Sequence, residues 1–266
     1  MGASALQRRS VAKGTTLVVG LGTTGLSCAR FLSRQGRDFI VVDSRSQPPG
    51  LDALKQELPA VGYHLGDFDP DLFSSATEVV LSPGVGLEEP AVAAALEAGV
   101  PVLGDIELFA RHARAPVVAV TGSNGKSTVT TLLGEMAREA GYRVKTGGNL
   151  GPAALDLLAG PVPDFYVLEL SSFQLELAES LDALAAVVLN VSDDHLDRHH
   201  SLAEYAAIKQ RVFRGRGVMV LNVDDPQVAA MAEAEREVVR FSLGAPAADG
   251  DFGIRTVDGE PMLVRG

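Results

Sequence analysis

The chain has 266 residues, 46% of them apolar and 21% charged, with a net charge of −11. That mixture supports a sizeable core in one large or two ordinary domains, and an acidic balance with scattered basic residues argues against nucleic acid as a partner. A single cysteine, Cys28, excludes an intrachain disulfide and a zinc–thiolate cluster, and every apolar run falls short of the roughly 18 residues of a membrane span.

The opening stretch MGASALQRRSVAKG has basic residues but no apolar run behind them, unlike a secretory signal. It reads as a disordered lead-in to a cytoplasmic, non-membrane protein. Thr16 to Gly20 is then a short apolar strand. It runs into Gly20-Leu21-Gly22-Thr23-Thr24-Gly25 and a helix-period stretch from Leu26 to Gln35, where Cys28 reads as a small core residue. The strand FIVVD follows and ends in Asp43, about 20 residues past the glycines, which is the spacing of the dinucleotide-binding fingerprint. Glycines there permit a tight turn and close approach of a diphosphate to a helix N-terminus. Asp43 is placed to accept bonds from a ribose or a base edge.

A helix over Leu51 to Leu58, a short strand near Val61 and a buried strand over Val79 to Leu81 come next. Ser82-Pro83-Gly84 stops that strand at its C-terminal end, the edge where open α/β sheets take ligands. A helix over Pro90 to Ala98, a strand over Val100 to Leu103 and an amphipathic helix in GDIELFARHA complete a Rossmann-like, doubly wound first domain, residues 1–113. Arg111 to Pro116 reads as the link to a second domain, residues 114–266.

The second domain opens on VVAVTGSNGKSTVTTLL. A β-branched strand, a glycine loop, Lys126-Ser127-Thr128 and a helix follow in the order of a phosphate cradle. Loop N–H groups and the positive helix end converge, Lys126 adds a full charge, and Ser127 offers a hydroxyl to Mg²⁺. The usual phosphate-loop pattern has a further glycine where Val120 stands, so this is a short variant with Gly122 and Gly125 alone. The strand Tyr142 to Thr146 leads to Gly147-Gly148-Asn149-Leu150-Gly151, either a plain turn or a ligand loop through Asn149. DFYVLEL is a buried parallel-type strand with Glu169 near its end, placed to hold Mg²⁺ directly or through water. Ser171, Ser172 and Gln174 follow, with Ser172 a candidate helix cap.

The strand Ala185 to Asn190 delivers VSDDHLDRHH. His195 is the best ligand candidate of that cluster. Asp193, Asp194, His199 and His200 read as a solvated turn that caps the next helix, Ser201 to Arg214. On composition Lys209 in that helix is a surface lysine, at the margin of an apolar face. A strand ending at Asn222, an acidic turn at Asp224 and Asp225, a helix to about Glu233, the strand VVRFSL and a hairpin (Phe252 to Val257, Met262 to Val264) close the chain. The fold class is thus α/β: a Rossmann-like parallel sheet followed by a phosphate-loop-type α/β domain.

TGSNGKST, GGNLG, VLELSSFQLE, LNVSDDHLDRH and YAAIKQRVF, in this order, resemble the Mur ligases. ELSSFQLE and GDIELF point to the D-glutamate-adding branch, and the likeness runs from about Gly14 onward. The resemblance implies ATP-dependent amide ligation in peptidoglycan precursor synthesis, and through it a part in cell shape and division. The carboxylate of UDP-N-acetylmuramoyl-L-alanine is phosphorylated to an acyl phosphate, and D-glutamate attacks it. By the same resemblance Gly122, Ser123, Asn124, Gly125, Lys126, Ser127 and Thr128 hold ATP. Ser127 and Glu169 hold one Mg²⁺, and His195 and a carbamylated Lys209 serve the second. Lys126, His195 and Lys209 are the implied catalytic set. CO₂ adds only to a neutral amine, so such a site must favour deprotonated Lys209. Asn149, Ser171 and Gln174 correspond to positions on the muramoyl-alanine. Thr23 and Thr24 correspond to the UDP diphosphate site, and Asp43, Ser44, Arg45, Ser82, Pro83 and Gly84 to the uracil region. Ser44 stands where the family usually has threonine, and keeps the hydroxyl. A monomer is expected.

Mur ligases continue well past the position of Gly266, with more of the ATP-binding domain and a further C-terminal domain. The expectation is therefore an N-terminal fragment, with an incomplete central domain, that is inactive alone. Two other functions stay open on the sequence: a non-catalytic nucleotide-binding protein and an NAD-dependent oxidoreductase built on the first fingerprint. A folylpolyglutamate-synthase-like ligase shares the phosphate loop but begins directly with its ATPase domain, without the first fingerprint.

Overall fold

The structure, a computed structural model, describes residues 15–193, 198–199 and 201–266. The chain divides into two compact units. One runs through Phe109 and also takes in Ala153–Ala159; the other is Ala110–Pro152 with Gly160–Gly266.

The first unit is a five-stranded sheet ordered β3-β2-β1-β4-β5. Its strands are β1 (Thr16–Val19), β2 (Phe39–Asp43), β3 (Gly62–Leu65), β4 (Glu78–Leu81) and β5 (Val102–Gly104). All neighbours run parallel. Parallel strands covered by helices on both faces bury nearly every side chain, which is why TLVV and EVVL read as unbroken apolar runs. Leu17, Val18, Val19, Val79 and Val80 are fully buried. The connecting helices are α1 (Thr23–Arg34), α2 (Leu51–Glu57), α3 (Pro70–Ser74) and α4 (Pro90–Glu97), with α5 (Asp105–His112) after β5. Cys28 sits in the core of α1, and burial pushes its thiol up, as befits an inert packing residue.

The short helix α3 was not anticipated. It starts on Pro70 with Asp69 as its cap, the carboxylate accepting from the Asp71 N–H at 3.0 Å. A 3₁₀ turn over Ala154–Leu158 also belongs to this unit, although the chain reaches it from the second. Arg34 donates to the Leu155 carbonyl at 3.2 Å, and Arg30 lies 3.6 Å from Asp156.

The second unit is an eight-stranded sheet ordered β13-β12-β11-β10-β9-β6-β8-β7. Its strands are β6 (Val117–Thr121), β7 (Val144–Gly148), β8 (Phe165–Glu169), β9 (Ala185–Val188), β10 (Val218–Asn222), β11 (Val238–Phe241), β12 (Phe252–Val257) and β13 (Glu260–Arg265). Among the described residues of this unit, only the final β12–β13 hairpin pairs antiparallel. The helices are α6 (Lys126–Glu139), α7 (Ser172–Leu175), α8 (Leu202–Gln210) and α9 (Pro226–Ala229). The helix expected over 201–214 gives way to a 3₁₀ turn at Arg211–Phe213, and the one expected to reach Glu233 ends at Ala229.

Both sheets reverse strand order at the strand before a glycine loop: β1 lies between β2 and β4, and β6 between β8 and β9. The crevice outside the carboxyl ends of strands at such a point is where α/β sheets take ligands.

Candidate nucleotide sites

In the first unit the glycine loop joins β1 to α1. Gly22 is the N-cap of α1 and leaves the helix start without a side-chain cap. By contrast α3, α7, α8 and α9 are each closed by their own Asp69, Ser171, Ser201 or Asp225. Uncapped helix amides are free to receive an anion, and Thr23 and Thr24 stand at that start. Gly25 is fixed by close approach: a Cβ there would lie 1.7 Å from the Gly20 carbonyl oxygen. Ser82, from the loop after β4, closes the other side by donating to the Gly20 carbonyl at 3.1 Å.

Asp43, which its spacing offers as a ribose or base acceptor, makes a full set of contacts within the unit. It is only 2% exposed, and its carboxylate is already committed. One oxygen accepts the Leu21 N–H at 2.6 Å and an Arg45 guanidinium N–H at 2.7 Å. The other accepts the Arg45 backbone N–H at 2.9 Å and its Nε–H at 2.8 Å. Burial alone would raise this carboxyl. The Arg45 guanidinium and the two backbone N–H groups more than offset that, and hold it below the ordinary carboxylate range. Asp43 thus fixes the glycine loop and Arg45 together at the end of β2.

In the second unit Gly125, in the left-handed region at φ 80°, is the N-cap of α6, again with no side-chain cap. The loop is braced from the end of β9 by contacts that no local pattern signals. Asn190 accepts the Asn124 N–H at 2.8 Å and donates back to the Asn124 carbonyl at 3.1 Å. The Ser123 N–H donates to the Asn190 carbonyl at 2.9 Å, and the Ser123 hydroxyl accepts the Ser192 N–H at 3.0 Å. Asp225 caps α9 and also takes the Val191 N–H at 2.7 Å, which ties the bracing segment to β10.

Two lysines converge on this loop. Lys126 Nζ donates to the carbonyls of Gly122 at 3.0 Å and Ser123 at 2.9 Å. Lys209 Nζ, from α8, donates to the same Gly122 carbonyl at 2.9 Å and sits 4.3 Å from the centre of the Tyr205 ring. Lys209 is 1% exposed, so the surface lysine that composition suggests is a core residue. Its neighbours in YAAIKQ turn that face of α8 inward, with Tyr205 and Ala206 also buried.

Glu169 ends β8 and is 2% exposed. Its Oε1 accepts from the Asn149 side-chain amide at 2.7 Å, and the Asn149 N–H donates to the Glu169 carbonyl at 2.8 Å. Its Oε2 is buried with no hydrogen-bond partner among the described residues. A buried carboxylate oxygen left without a donor is the kind of group a hard cation satisfies, so the residues present fit Mg²⁺. No group of three His, Cys, Asp or Glu side chains placed for a metal occurs among the described residues. His195, Asp194, Asp197 and His200 lie outside those residues.

Ser171 and Gln174 form a reciprocal capping box on α7: the Gln174 N–H donates to Ser171 Oγ at 3.2 Å, and the Ser171 N–H to Gln174 Oε1 at 3.1 Å. The cap is thus Ser171 rather than Ser172. Ser172 Oγ instead meets His199 Nε2 at 2.9 Å. His199 is 0% exposed, which overturns its reading as part of a solvated turn. Its ring stacks 5.2 Å from Phe173 and lies 5.1 Å from Tyr205, so aromatic packing captures it.

Two family profiles match this chain: the Mur ligase MurD-like N-terminal domain over residues 14–104 and the Mur ligase middle domain over residues 120–261. The chain belongs to the Mur ligase family. The first Mur ligase match spans the Gly20–Gly25 loop, Asp43 and Ser82; the second spans the phosphate loop, Glu169 and Lys209. A UDP-N-acetylmuramoylalanine–D-glutamate ligase of Nitrosococcus oceani is 54% identical over 252 residues, covering 95% of this chain and 55% of that protein. One of Marinobacter nauticus is 56% identical over 250 residues, covering 94% and 53%. The chain spans about half the length of these curated relatives. The Mur ligase fold is also seen in a solved UDP-N-acetylmuramate:L-alanyl-gamma-D-glutamyl-meso-diaminopimelate ligase from Neisseria, with TM-score 0.62 and 18% identity over 96% of this chain and 85% of that one. A murein peptide ligase of Psychrobacter arcticus gives TM-score 0.56 and 16% identity over 95% and 58%. No helix among the described residues is long and apolar enough to cross a membrane.

Proposed function

We propose that this chain carries the nucleotide-sugar and ATP sites of a cytoplasmic, monomeric ligase that adds D-glutamate to UDP-N-acetylmuramoyl-L-alanine. The diphosphate and uracil are held at the start of α1 and beside Arg45, and ATP at the start of α6. The observation that carries this reading is the convergence of Lys126 and Lys209 on the Gly122 carbonyl, at an uncapped helix start. Two ammonium groups sharing one acceptor repel each other, and an anion brought there relieves the repulsion.

A carboxylate is a poor electrophile because its oxygen is a poor leaving group. Transfer of the γ-phosphoryl of ATP to the carboxylate of the muramoyl-alanine makes that oxygen part of a phosphate. The amine of D-glutamate then attacks the carbonyl carbon, the C–O bond breaks with its electrons leaving on phosphate, and the amine gives up a proton. Lys126 and the loop N–H groups hold the phosphoryl oxygens as two anions approach. Lys209 is buried and shares the Gly122 carbonyl with Lys126, and the family resemblance gives it the place of a carbamate. The neutral amine adds CO₂, and the resulting carbamate is an anion. Glu169, Ser127, that carbamate and His195 would hold Mg²⁺ in two sites, and Asn149 sets the Glu169 carboxylate through its amide. Mg²⁺, when bound, neutralises phosphate charge. Ser171 and Gln174 face the muramoyl-alanine from the start of α7.

Calorimetric titration tests the reading. The chain should bind UDP-N-acetylmuramoyl-L-alanine and MgADP saturably and independently, and NADH should displace neither. NADH bound in competition with the UDP-sugar would instead establish a dinucleotide protein.

A further inference from the structure

His199 is not among the residues that the phosphate-loop reading uses, yet it is fully buried in the middle of that unit. Its Nε2 lies 2.9 Å from Ser172 Oγ, three residues beyond Glu169. Its ring stacks against Phe173 at an interplanar angle of 24° and packs tilted, at 30°, against Tyr205. Tyr205 is itself buried, and one helical turn later its neighbour Lys209 lays its ammonium over the Tyr205 ring. The Tyr205 hydroxyl is 3.5 Å from Ser123 Oγ in the glycine loop. Arg198, the preceding residue, pairs with Glu176 at 3.0 Å and lies over Phe173, which clamps His199 from the other side.

Ser172, His199, Tyr205, Lys209 and Gly122 therefore form one connected run of buried contacts, which begins three residues after Glu169. An imidazole wedged between two aromatic rings leaves Tyr205 little rotational freedom, and the Tyr205 ring is the surface against which Lys209 is aimed at the loop carbonyl. We propose that His199 is a positioning residue: by packing on Tyr205 and bonding to Ser172 it sets Lys209 at the Gly122 carbonyl of the phosphate loop, and so sets how strongly Mg²⁺ supports nucleotide binding. Its partners place it behind the groups that meet the nucleotide. This rests on the reading of the loop at 122–128 as a Mg-nucleotide site.

The test uses a fluorescent ADP analogue titrated into the chain in Mg²⁺ and in EDTA, with UDP titrated as a control on the other unit. For His199→Ala, affinity in Mg²⁺ should fall about tenfold, the scale of losing a residue that orients metal ligands. Affinity in EDTA and for UDP should stay near wild type. His199→Phe keeps the ring stack and should recover most of the Mg²⁺ effect; His199→Asn keeps a polar partner for Ser172 without the stack and should resemble the alanine variant. A purely structural role would lower affinity equally in Mg²⁺ and EDTA, and that result, or an unchanged Mg²⁺ effect in His199→Ala, would overturn the inference. Should the wild-type chain bind the analogue without any Mg²⁺ effect, the underlying reading of the loop falls, and this inference with it.

Discussion

Replacing Asp43 with asparagine keeps the shape of the side chain and removes its charge. Four hydrogen bonds end on that carboxylate, two from backbone N–H groups and two from the Arg45 guanidinium. The Arg45 side chain is half exposed, so its ion pair adds about 1 kcal/mol at most. The Leu21 N–H is different: it is buried, and the bond is short and charge-assisted. Such a bond contributes ~1.5–3 kcal/mol, and an asparagine that turns its NH₂ toward Leu21 would lose it. The expected loss for Asp43→Asn at pH 7 is therefore about 2–4 kcal/mol in the first unit. The folded carboxyl lies below its unfolded value. Its stabilisation is thus present above the unfolded carboxylate range, near pH 4, and is lost as pH falls toward the lower folded value. Urea denaturation of wild type and Asp43→Asn, followed from pH 7 downward, should show a gap that is constant to about pH 5 and narrows below about pH 4. A gap under about 0.5 kcal/mol at pH 7, the noise of ordinary surface changes, would refute the assignment of Asp43 as the brace of the loop. A gap that widens in acid would refute the sign of its shift.

Three further outcomes follow from the two loops. Gly25→Ala places a Cβ on the Gly20 carbonyl; it should abolish UDP binding, measured by calorimetry, while MgADP binding stays near wild type. Asn190→Ala removes a reciprocal pair of bonds to the Asn124 backbone. It should cost ~1–2 kcal/mol in the unfolding of the second unit and weaken MgADP binding, with UDP binding unchanged. Glu169→Gln replaces the buried carboxylate, whose Oε2 has no donor among the described residues. It should erase the difference between ADP affinities in Mg²⁺ and in EDTA, which equilibrium dialysis reads directly.

The strands and the two glycine loops were legible because parallel strands buried on both faces write themselves as apolar runs, and because tight turns at helix starts demand glycine. Lys126 and Asp43 were legible for the same reason, sitting at fixed spacings from those glycines. What local spacing could not give was depth. His199 lies in a segment that reads as a solvated turn and Lys209 at the margin of an apolar helix face, and only the packing around α7 and α8 shows that both are buried. For Asp43, spacing locates a carboxylate but not the donors already on it. Asn190 and Ser192 brace the glycine loop across a distance of about 70 residues in sequence, and hydrogen bonds of that range leave no periodic trace. The short helix α3 and the 3₁₀ turn at Ala154–Leu158 are too brief for a helical period to appear.

The central claim is that the loop at 122–128 is the ATP phosphate site, separate from a nucleotide-sugar site in the other unit. Its most direct test is a pair of titrations, MgADP and UDP, on wild type and Lys126→Ala. Removing the lysine should weaken MgADP binding at least tenfold, ~1.4 kcal/mol or more, and leave UDP affinity unchanged. MgADP affinity that survives the substitution, or UDP affinity that falls with it, would contradict the account.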